Sequence, residues 1–405
     1  MSSINNNTIV LGIAGALNHD ASVSITQGSD IKFAGHAERY SKIKNDPLLN
    51  SELLRDALQY GIPDVIAWYE NPYKKKIRQL YAGQYETAFD MDELPKNYLK
   101  QFPELTGIPI EYQDHHYTHA ASGYHTSGFT HAAVVVIDSI GEWETLTIWQ
   151  GSGSTLSKMY TQKYPHSLGL FYSAMTQRLG LKANEDEYIL MGMAAYGNAE
   201  RLYNGKPLYV QVMTALGIGS KGKKVVSFKK NLHRGCNELF PDLTTEQDMF
   251  DLAAASQHIY EMMFDRIIKL AKQLYHGPNL VLMGGCALNC VANSNITGNY
   301  GFTNIWIMPN PGDAGSCIGV AQKYNSDWTL DWKTPYLGHN IEGEYPVEKS
   351  LKALLNGDII GIANGRAEFG PRALGNRTLT ADPRGPLVKD KMNEIKHRQK
   401  FRPFA

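Results

Sequence analysis

The sequence lacks three features that would set it apart from ordinary globular proteins. It has no run of about 18 apolar residues, the length that a membrane-spanning helix needs. Its beginning, MSSINNNTIVLGIAG, has no basic stretch followed by a long apolar one, as a secretion signal would. It has no excess of charge, because 40 basic residues balance 40 acidic ones. We therefore expect a cytoplasmic protein without a membrane contact, in which any contact with nucleic acid is local.

Cysteine is scarce, with only Cys236, Cys286, Cys290 and Cys317 among 405 residues. A long chain with so few cysteines is not a disulfide scaffold. Cys286 and Cys290 are four residues apart without a second pair, which favours buried thiols over a metal clip. Hydrophobic residues make up 43% and charged residues 20%, which is ordinary for a folded protein. The length predicts two or three structural units.

Apolar runs at 8–15, 132–141 and 279–289 each end in a turn rich in Gly, Asp or Asn. They are typical of buried strands that feed loops. The intervals between them have helical periodicity, for example at 247–274. Strands that alternate with helices predict an α/β fold. The two similar strand-to-turn entries at 12–20 and 138–142 predict two related halves that face one cleft.

Residues 337–346 are rich in Gly, Pro and charge and predict a domain boundary. An amphipathic helix is predicted to begin near Val347, a strand-like run covers 358–363, and an arginine-dense tail follows. About 60 residues are few for a domain with its own core. We therefore expect 346–405 to be the truncated first part of a second domain.

Two histidines and two aspartates form a candidate metal site. His115 and His119 are four residues apart on a predicted helix, so both imidazoles face one side. Asp138 ends a predicted strand and Asp313 lies in the loop PGDAGS, so each can project into a cleft. This set suits iron(II), manganese or zinc. Histidines of a core or surface, and aspartates that cap helices or turns, are the alternatives.

Three further stretches are candidates for substrate binding. His19 follows the first strand in a loop of small residues, either as a catalytic imidazole or as a satisfied loop histidine. Gly284, Gly285 and Asn289 follow a strand, where they suit either a nucleotide or a tight structural turn. The stretch GRAEFGPRALGNR at 365–377 interleaves arginines with glycines, which favours phosphate binding over a solvated basic face.

Taken together, these stretches resemble the O-carbamoyltransferase family of NodU and TobZ. The resemblance is ordered along nearly the whole chain and rests on GIAGALNHDAS, AERYSKIKND, DHHYTHAAS, VVVIDSIGE, SLGLFYSAMT, MGMAAYG, GGCALN, NPGDAGS, FGPRALGNR, ADPR and IKHRQKFRPFA. It implies a duplicated actin/hexokinase-like (ASKHA) domain at 1–340, with two lobes split near 130. It also implies that 346–405 begins an α/β domain like threonylcarbamoyl-adenylate synthase.

The resemblance implies a two-step reaction. Carbamoyl phosphate and ATP would give carbamoyl-adenylate, and the carbamoyl group would then pass to an acceptor hydroxyl. The family positions imply that His19 is the base and that a divalent metal, iron(II) ahead of manganese or zinc, is bound by two histidines and two aspartates. ATP would bring Mg²⁺. The implied metal ligands are His115, His119, Asp138 and Asp313, and the implied anion-binding residues are Arg366, Arg372, Arg398 and Arg402.

The acceptor stays open, with a sugar or small alcohol favoured over a hydroxymethylated pyrimidine in a nucleotide or DNA. The latter idea rests on 69–85, where Lys74, Lys75, Lys76 and Arg78 interleave with tyrosines. A helix with a solvated basic face and inward tyrosines is the favoured alternative for that segment. A carbohydrate-kinase-like ATPase and a non-catalytic nucleotide-binding module are the other candidate functions. The sequence leaves the oligomeric state open.

Overall fold

The computed structural model describes residues 7–222 and 224–403, and the chain folds into two compact units. Unit 1 is Met1–Lys333 and unit 2 is Thr334–Ala405. The residues 1–6 of the predicted first domain and 404–405 of the predicted second lie outside the described residues. Within the described part of the chain, no helix is long and apolar enough to span a membrane.

The first part of unit 1 is built on a five-stranded mixed sheet. Its strands are β1 (Ile9–Ala14), β2 (Ser22–Gln27), β3 (Asp30–His36), β4 (Val65–Trp68) and β5 (Ile110–Tyr112). The helices between them are α1 (Glu38–Ser41), α2 (Ser51–Leu58), α3 (Pro72–Tyr81), α4 (Tyr85–Phe89) and α5 (Pro95–Tyr98), with 3₁₀ turns at Leu99–Gln101 and Pro103–Leu105. The strand order is β3-β2-β1-β4-β5. β1, β2 and β3 pair antiparallel, whereas β4 and β5 continue the sheet in parallel with β1.

The second part of unit 1 contains another five-stranded sheet and the longest helix. Its elements are α6 (His115–Thr126), β6 (His131–Ile137), β7 (Glu144–Ser152), β8 (Thr155–Lys163), α7 (Leu168–Arg178), α8 (Glu187–Met193), β9 (Leu202–Tyr203), β10 (Lys206–Pro207), α9 (Leu208–Leu216), β11 (Gly219–Lys221), β12 (Lys224–Ser227), α10 (Glu246–Leu274), β13 (Asn279–Met283), α11 (Cys290–Ser294), β14 (Asn304–Ile307) and α12 (Ser316–Gly319). Further 3₁₀ turns are Ala194–Tyr196, Leu232–Arg234, Gly285–Leu288, Asp313–Gly315 and Val320–Tyr324.

The two large sheets have the same topology. The second has the order β8-β7-β6-β13-β14, in which β6, β7 and β8 pair antiparallel and β13 and β14 run parallel to β6. β6 therefore corresponds to β1, and β13 to β4. The prediction of an α/β protein is confirmed. The repeated strand order agrees with the prediction of two related halves. Both sheets belong to the one compact unit.

Helices α6 and α12 lie between the two sheets and bring them together. α12 packs on β1 and β2, α6 packs on β6 and β13, and the two helices contact each other. A Cβ atom at Gly319 would lie 2.3 Å from the Thr118 carbonyl oxygen, so only glycine permits this approach. The Ser24 hydroxyl donates to the Cys317 carbonyl over 2.6 Å and satisfies a polar group of the buried helix. The contact between α6 and α12 therefore joins the two halves of unit 1.

Unit 2 is small and contains two antiparallel strand pairs with two helices. Its elements are β15 (Tyr336–Ile341), α13 (Val347–Leu355), β16 (Ile360–Ala363), β17 (Gly365–Glu368), β18 (Arg377–Thr380) and α14 (Val388–Ile395). β15 pairs with β17, and β16 pairs with β18. The predicted helix at Val347 and the predicted strand at 358–363 are both present.

The cysteines are free thiols, as expected, but they are not all buried. Cys236 and Cys317 are buried and Cys286 is half-buried, whereas Cys290 is exposed. The prediction of a buried thiol is therefore wrong for Cys290. The cause is local, because Cys290 opens the short helix α11 just after a glycine turn.

Candidate metal centre

Four side chains from three segments of unit 1 converge on one point. His115 and His119 lie one turn apart on α6, Asp138 follows β6, and Asp313 begins the turn before α12. One ligand atom from each lies within 4.8 Å of all the others. The two histidine Nε2 atoms are 3.1 Å apart, and His115 Nε2 lies 3.1 Å from the Asp138 carboxylate. His119 Nε2 lies 3.3 Å from the Asp313 carboxylate.

The buried Glu142 orients the helix that carries both histidines. Its carboxylate oxygens accept the His115 backbone N–H over 3.1 and 3.2 Å, at the N-terminal end of α6. One of the same oxygens accepts the Asn71 N–H over 2.7 Å. Burial raises the pKa of Glu142 above its ordinary value. The motif VVVIDSIGE contains Glu142, but the strand-to-turn pattern alone does not indicate that its carboxylate caps a distant helix.

Opposite charges dominate the electrostatics of the centre. Burial disfavours charged His115, but the carboxylates of Asp313 and Asp138 outweigh burial and hold its pKa well above the ordinary value. Burial likewise opposes ionisation of Asp313, but His115 and His119 hold the pKa of that carboxyl well below its usual range. Burial and the nearby Asp313 oppose ionisation of Asp138, but the hydrogen bond to His115 and the charges of His115 and His119 together hold its pKa below the ordinary value.

The residues present fit a divalent transition metal. Two imidazole nitrogens and two carboxylate oxygens form a donor set that such ions accept, with room for further ligands. Both Nε2 atoms point at the common centre, and the Nδ1 atoms of His115 and His119 are buried without a hydrogen-bond partner among the described residues. The ring atoms directed at the centre are therefore the ones that a metal would use. Three buried polar groups and the half-buried Asp313 at this spacing repel or share protons unless a cation joins them.

The loop after β1 reaches the same centre through Tyr69. The Asn18 amide donates to the Tyr69 hydroxyl over 2.7 Å, and the Tyr69 ring lies 5.1 Å from the His115 ring, centroid to centroid. The next residue, His19, has its Nε2 2.6 Å from the Asn184 carbonyl oxygen. Since a carbonyl only accepts, Nε2 carries the hydrogen and Nδ1 keeps its lone pair.

The glycine turn after β13 contacts the centre with its backbone. Gly284 has a φ of +89°, and a Cβ there would lie 2.2 Å from the Ile137 carbonyl oxygen, so glycine is required. The Gly285 N–H donates to Asp138 over 3.2 Å. The Asn289 amide is instead paired with Gln257 through two hydrogen bonds of 3.0 and 3.1 Å. The Asn289 side chain thus holds the turn against α10. Nucleotide binding by Gly284, Gly285 and Asn289 stays a prediction.

The arginines of the tail differ in their surroundings. Arg377 donates to the carbonyls of Asn364, Asn376, His339 and Gly365, so its guanidinium holds the strands of unit 2. Arg366 also donates to backbone carbonyls, those of residues 337 and 338. Arg372 is exposed in the loop between β17 and β18. Arg398 lies just after α14 and Arg402 near the end of the described chain.

A buried carboxylate shapes the loop that carries Arg372. One oxygen of Glu368 accepts three backbone N–H groups, from Leu374, Asn376 and Arg377, over 2.8 to 3.1 Å. Burial opposes its ionisation, but these donors hold the pKa of Glu368 below the ordinary value. Its other oxygen is buried without a hydrogen bond among the described residues.

The cations of segment 69–85 are engaged within unit 1. Lys74 pairs with Asp114 over 2.5 Å, Lys75 pairs with Glu70 over 2.7 Å, and the buried Arg78 donates to the Glu142 carbonyl. The tyrosines at 73, 81 and 85 are exposed. The tyrosines therefore face outward, contrary to the favoured alternative. The cations are paired with acidic or carbonyl groups, and among them Lys74 stays exposed.

The fold and the centre define an α/β protein with a two-histidine, two-aspartate site between two related sheets. Residues 67–322, which include these two histidines and two aspartates, match the family Carbamoyltransferase N-terminus, and residues 351–405 match Carbamoyltransferase C-terminus. The chain therefore belongs to the carbamoyltransferase family, a family of transferase enzymes, as the sequence motifs predicted.

The chain is similar to proteins that are longer than itself. It is 32% identical to an uncharacterised protein of Synechocystis sp., over 98% of this chain and 75% of that protein. It is 28% identical to the nodulation protein NolNO of Sinorhizobium fredii, over 100% of this chain and 64% of that protein. It is 33% identical to the 3'-hydroxymethylcephem-O-carbamoyltransferase of Amycolatopsis lactamdurans, over 37% of this chain and 32% of that protein.

Proposed function

We propose that the chain transfers a carbamoyl group from carbamoyl phosphate to the hydroxyl of a small-molecule acceptor, with ATP consumed and carbamoyl-adenylate as the intermediate. The observation that carries the proposal is the convergence of His115, His119, Asp138 and Asp313 within a region that matches the carbamoyltransferase family. The repeated sheets support an actin/hexokinase-like fold for unit 1. The match at 351–405 supports unit 2 as part of the adenylate-forming domain.

In the first step, water displaces phosphate from carbamoyl phosphate and gives carbamate. A carbamate oxygen then attacks the α-phosphorus of ATP, and pyrophosphate leaves. The anions in this step require forked donors, which arginine supplies in bidentate form. We assign that role to Arg366, Arg372, Arg398 and Arg402. Arg372 is the clearest of them because it is exposed in the loop that Glu368 fixes.

In the second step, the acceptor hydroxyl attacks the carbamoyl carbon and AMP leaves. His19 takes the hydroxyl proton on Nδ1, because its Nε2–H is committed to the Asn184 carbonyl. We assign the adenylate contact to the turn after β13 that contains Gly284, Gly285 and Asn289. A divalent metal on the four ligands, iron(II) ahead of manganese or zinc, would act as a Lewis acid toward the carbamoyl carbonyl. Mg²⁺ would accompany ATP in the first step.

The acceptor is proposed to be a small alcohol or sugar. The cephem relative, whose name records a hydroxymethyl acceptor, supports this class. A hydroxymethylated pyrimidine in DNA is less favoured, because Lys74, Lys75 and Arg78 are engaged inside unit 1. We place the reaction in the cytoplasm, where both phosphate substrates are available.

The test is incubation of the protein with carbamoyl phosphate, ATP and a mixed set of alcohols, sugars and nucleosides. Mass spectrometry should detect an added carbamoyl group on one acceptor, and AMP and pyrophosphate should form in equal amounts. ADP in place of AMP would indicate a kinase-like reaction and reject the proposal. ATP binding without any turnover would indicate a nucleotide-binding module instead.

A further inference from the structure

Helix α3 of unit 1 is amphipathic with its apolar side outward. Tyr73, Ile77 and Tyr81 recur at four-residue spacing, which places them on one side of the helix. Each of them is at least 60% exposed. A surface helix of a globular protein normally turns this stripe to the core and its charges to water. On α3, the buried residues are Pro72, Arg78 and Gln79 instead.

Specific partners hold α3 in this orientation. Lys75 donates to the Asn18 and Glu70 side chains over 2.5 and 2.7 Å, and Arg78 donates to the Gln84 side chain over 2.8 Å. Asn71 caps the first turn by accepting the N–H groups of residues 73 and 74. Because its polar side is satisfied by these bonds, the helix cannot rotate its apolar side inward without breaking them.

Helix α4 extends the same exposed surface. The Lys76 ammonium donates to the carbonyls of Thr87 and Asp90 over 2.8 and 2.6 Å, which fixes α4 beside α3. Tyr85 and Phe89 are four residues apart on α4 and both are exposed. We call the surface formed by these side chains the α3–α4 face; its residues are Tyr73, Ile77, Tyr81, Tyr85, Phe89 and Met91.

The face is large for a surface without a partner. Its six side chains are between 57% and 70% exposed. With aromatic side chains of 150–250 Å² each, the four rings alone present roughly 400–650 Å². The two aliphatic side chains bring the total close to the ~800 Å² per partner of a standard interface. Contiguous apolar patches beyond a few hundred Å² mark interaction sites.

We propose that the α3–α4 face is an isologous dimer interface whose occupant is the same face of a second copy of this chain. A two-fold axis brings an apolar helix face against its own copy, so the two surfaces match in polarity and need no opposite charges. Lys74 and Lys75 of α3 are each paired with a carboxylate, which weakens the attraction that an anionic membrane or a nucleic acid would need. The area matches one side of a standard dimer interface.

Two tyrosines are arranged as anchors. The Tyr81 ring lies 5.3 Å from that of Trp143, and the Tyr73 ring lies 6.1 Å from that of Tyr112 in edge-to-face geometry. Rings that are already supported lose little conformational freedom when a partner covers them, and tyrosine is enriched among the residues that dominate interface energy.

The test is sedimentation of the whole chain across micromolar concentrations. The wild type should be a dimer. Tyr81→Lys combined with Phe89→Lys should be monomeric, with at least a hundredfold weaker association, because two buried charges would face each other across the axis. The matched control is Ile62→Lys, which replaces an exposed apolar side chain outside the face and should stay dimeric. Circular dichroism checks that each variant is folded.

Three outcomes overturn the proposal. A wild type that is monomeric throughout excludes the interface. A double variant that stays folded and dimeric shows that another surface forms the dimer. Binding of an oligonucleotide by a monomer that the Tyr81 substitution abolishes would assign the face to nucleic acid. As a second measurement, Tyr85→Cys in a Cys290→Ser background, which removes the exposed native thiol, should form an intermolecular disulfide under mild oxidation only if the two faces meet.

Discussion

The Nδ1 atom of His36 lies 2.8 Å from a carboxylate oxygen of Asp20. On the other side of the ring, the Asn310 amide donates to Nε2 over 3.0 Å, so the ring hydrogen is on Nδ1 and points to Asp20. Burial opposes ionisation of Asp20, but His36 holds its pKa below the ordinary value. Asp20 follows His19, and Asn310 precedes the ligand Asp313 by three residues. One buried imidazole thus connects the loop of the proposed base to the segment of a proposed metal ligand.

Replacing His36 by Ala should therefore destabilise the protein and slow transfer. The half-buried Asp20 carboxylate would lose its donor, which costs about 1–3 kcal/mol. Urea unfolding should show this loss above pH 4. It should disappear as the pH falls through the lowered pKa of Asp20, where protonation removes the same interaction in the wild type.

The control for this variant is His131→Ala, since His131 is exposed at the start of β6. Transfer from preformed carbamoyl-adenylate should fall at least tenfold in the His36 variant and stay unchanged in the control. Equal stability and equal transfer in both variants would show that the His36 link has no role in positioning His19.

The double variant His115→Ala, His119→Ala should lose the bound metal and keep its fold. Removing two nitrogen donors leaves two carboxylates, which hold a transition metal far more weakly. Elemental analysis of the purified protein measures this directly, with His131→Ala as the matched histidine control. Metal content equal to that of the wild type would remove these two histidines from the site.

Much of the fold follows from sequence pattern. Runs such as VVVI predict buried strands because β-branched residues fit a sheet covered on both sides, and β6 contains that run. The four-residue spacing of His115 and His119 predicts a shared helix side, and their Nε2 atoms are 3.1 Å apart. Asp138 and Asp313 could also be predicted as candidate ligands, because Asp138 ends a predicted strand and Asp313 lies in a loop.

Other features depend on partners that are distant in sequence. α3 has an ordinary amphipathic pattern, but which side is covered depends on Glu70, Asp114 and Glu142. The role of Asn289 likewise depends on Gln257, which lies on the long helix α10. A periodic pattern identifies the two sides of an element, whereas the tertiary fold decides which side is exposed.

Arg372→Lys should sharply reduce pyrophosphate release that depends on carbamoyl phosphate, by tenfold or more. Lysine keeps the charge but loses the planar fork that grips phosphate through two hydrogen bonds. The control is Arg384→Lys, since Arg384 is exposed and pairs with Asp382. The assay uses a chain that contains any residues which follow position 405 in the natural protein. Near-normal release by Arg372→Lys would leave this arginine with a structural role.

His19→Ala should separate the two steps of the reaction. The proposed base acts only on the acceptor hydroxyl, so carbamoyl-adenylate should still form and accumulate, while transfer falls by about 10²–10⁴-fold. Quenched samples with and without acceptor measure both species. If adenylate formation falls as much as transfer, then His19 supports the nucleotide or the metal and is not the base.

Metal affinity should rise steeply with pH. The carboxylates of Asp313 and Asp138 outweigh burial and hold the pKa of His115 well above its ordinary value, so in the metal-free protein this ring is protonated at neutral pH. A metal binds only the neutral ring and must displace that proton. Affinity should therefore increase by about tenfold per pH unit between pH 6.5 and the raised pKa.

The stability of the metal-free protein should change with pH in the opposite direction. The protonated His115 ring stabilises the fold fully below pH 6.5, and this contribution is lost as pH rises through the pKa of the folded state. Competition with a chelator of known pH dependence, together with urea unfolding of the stripped protein, measures both slopes. A metal affinity that is flat over this pH range would mean that His115 is neutral before metal binds.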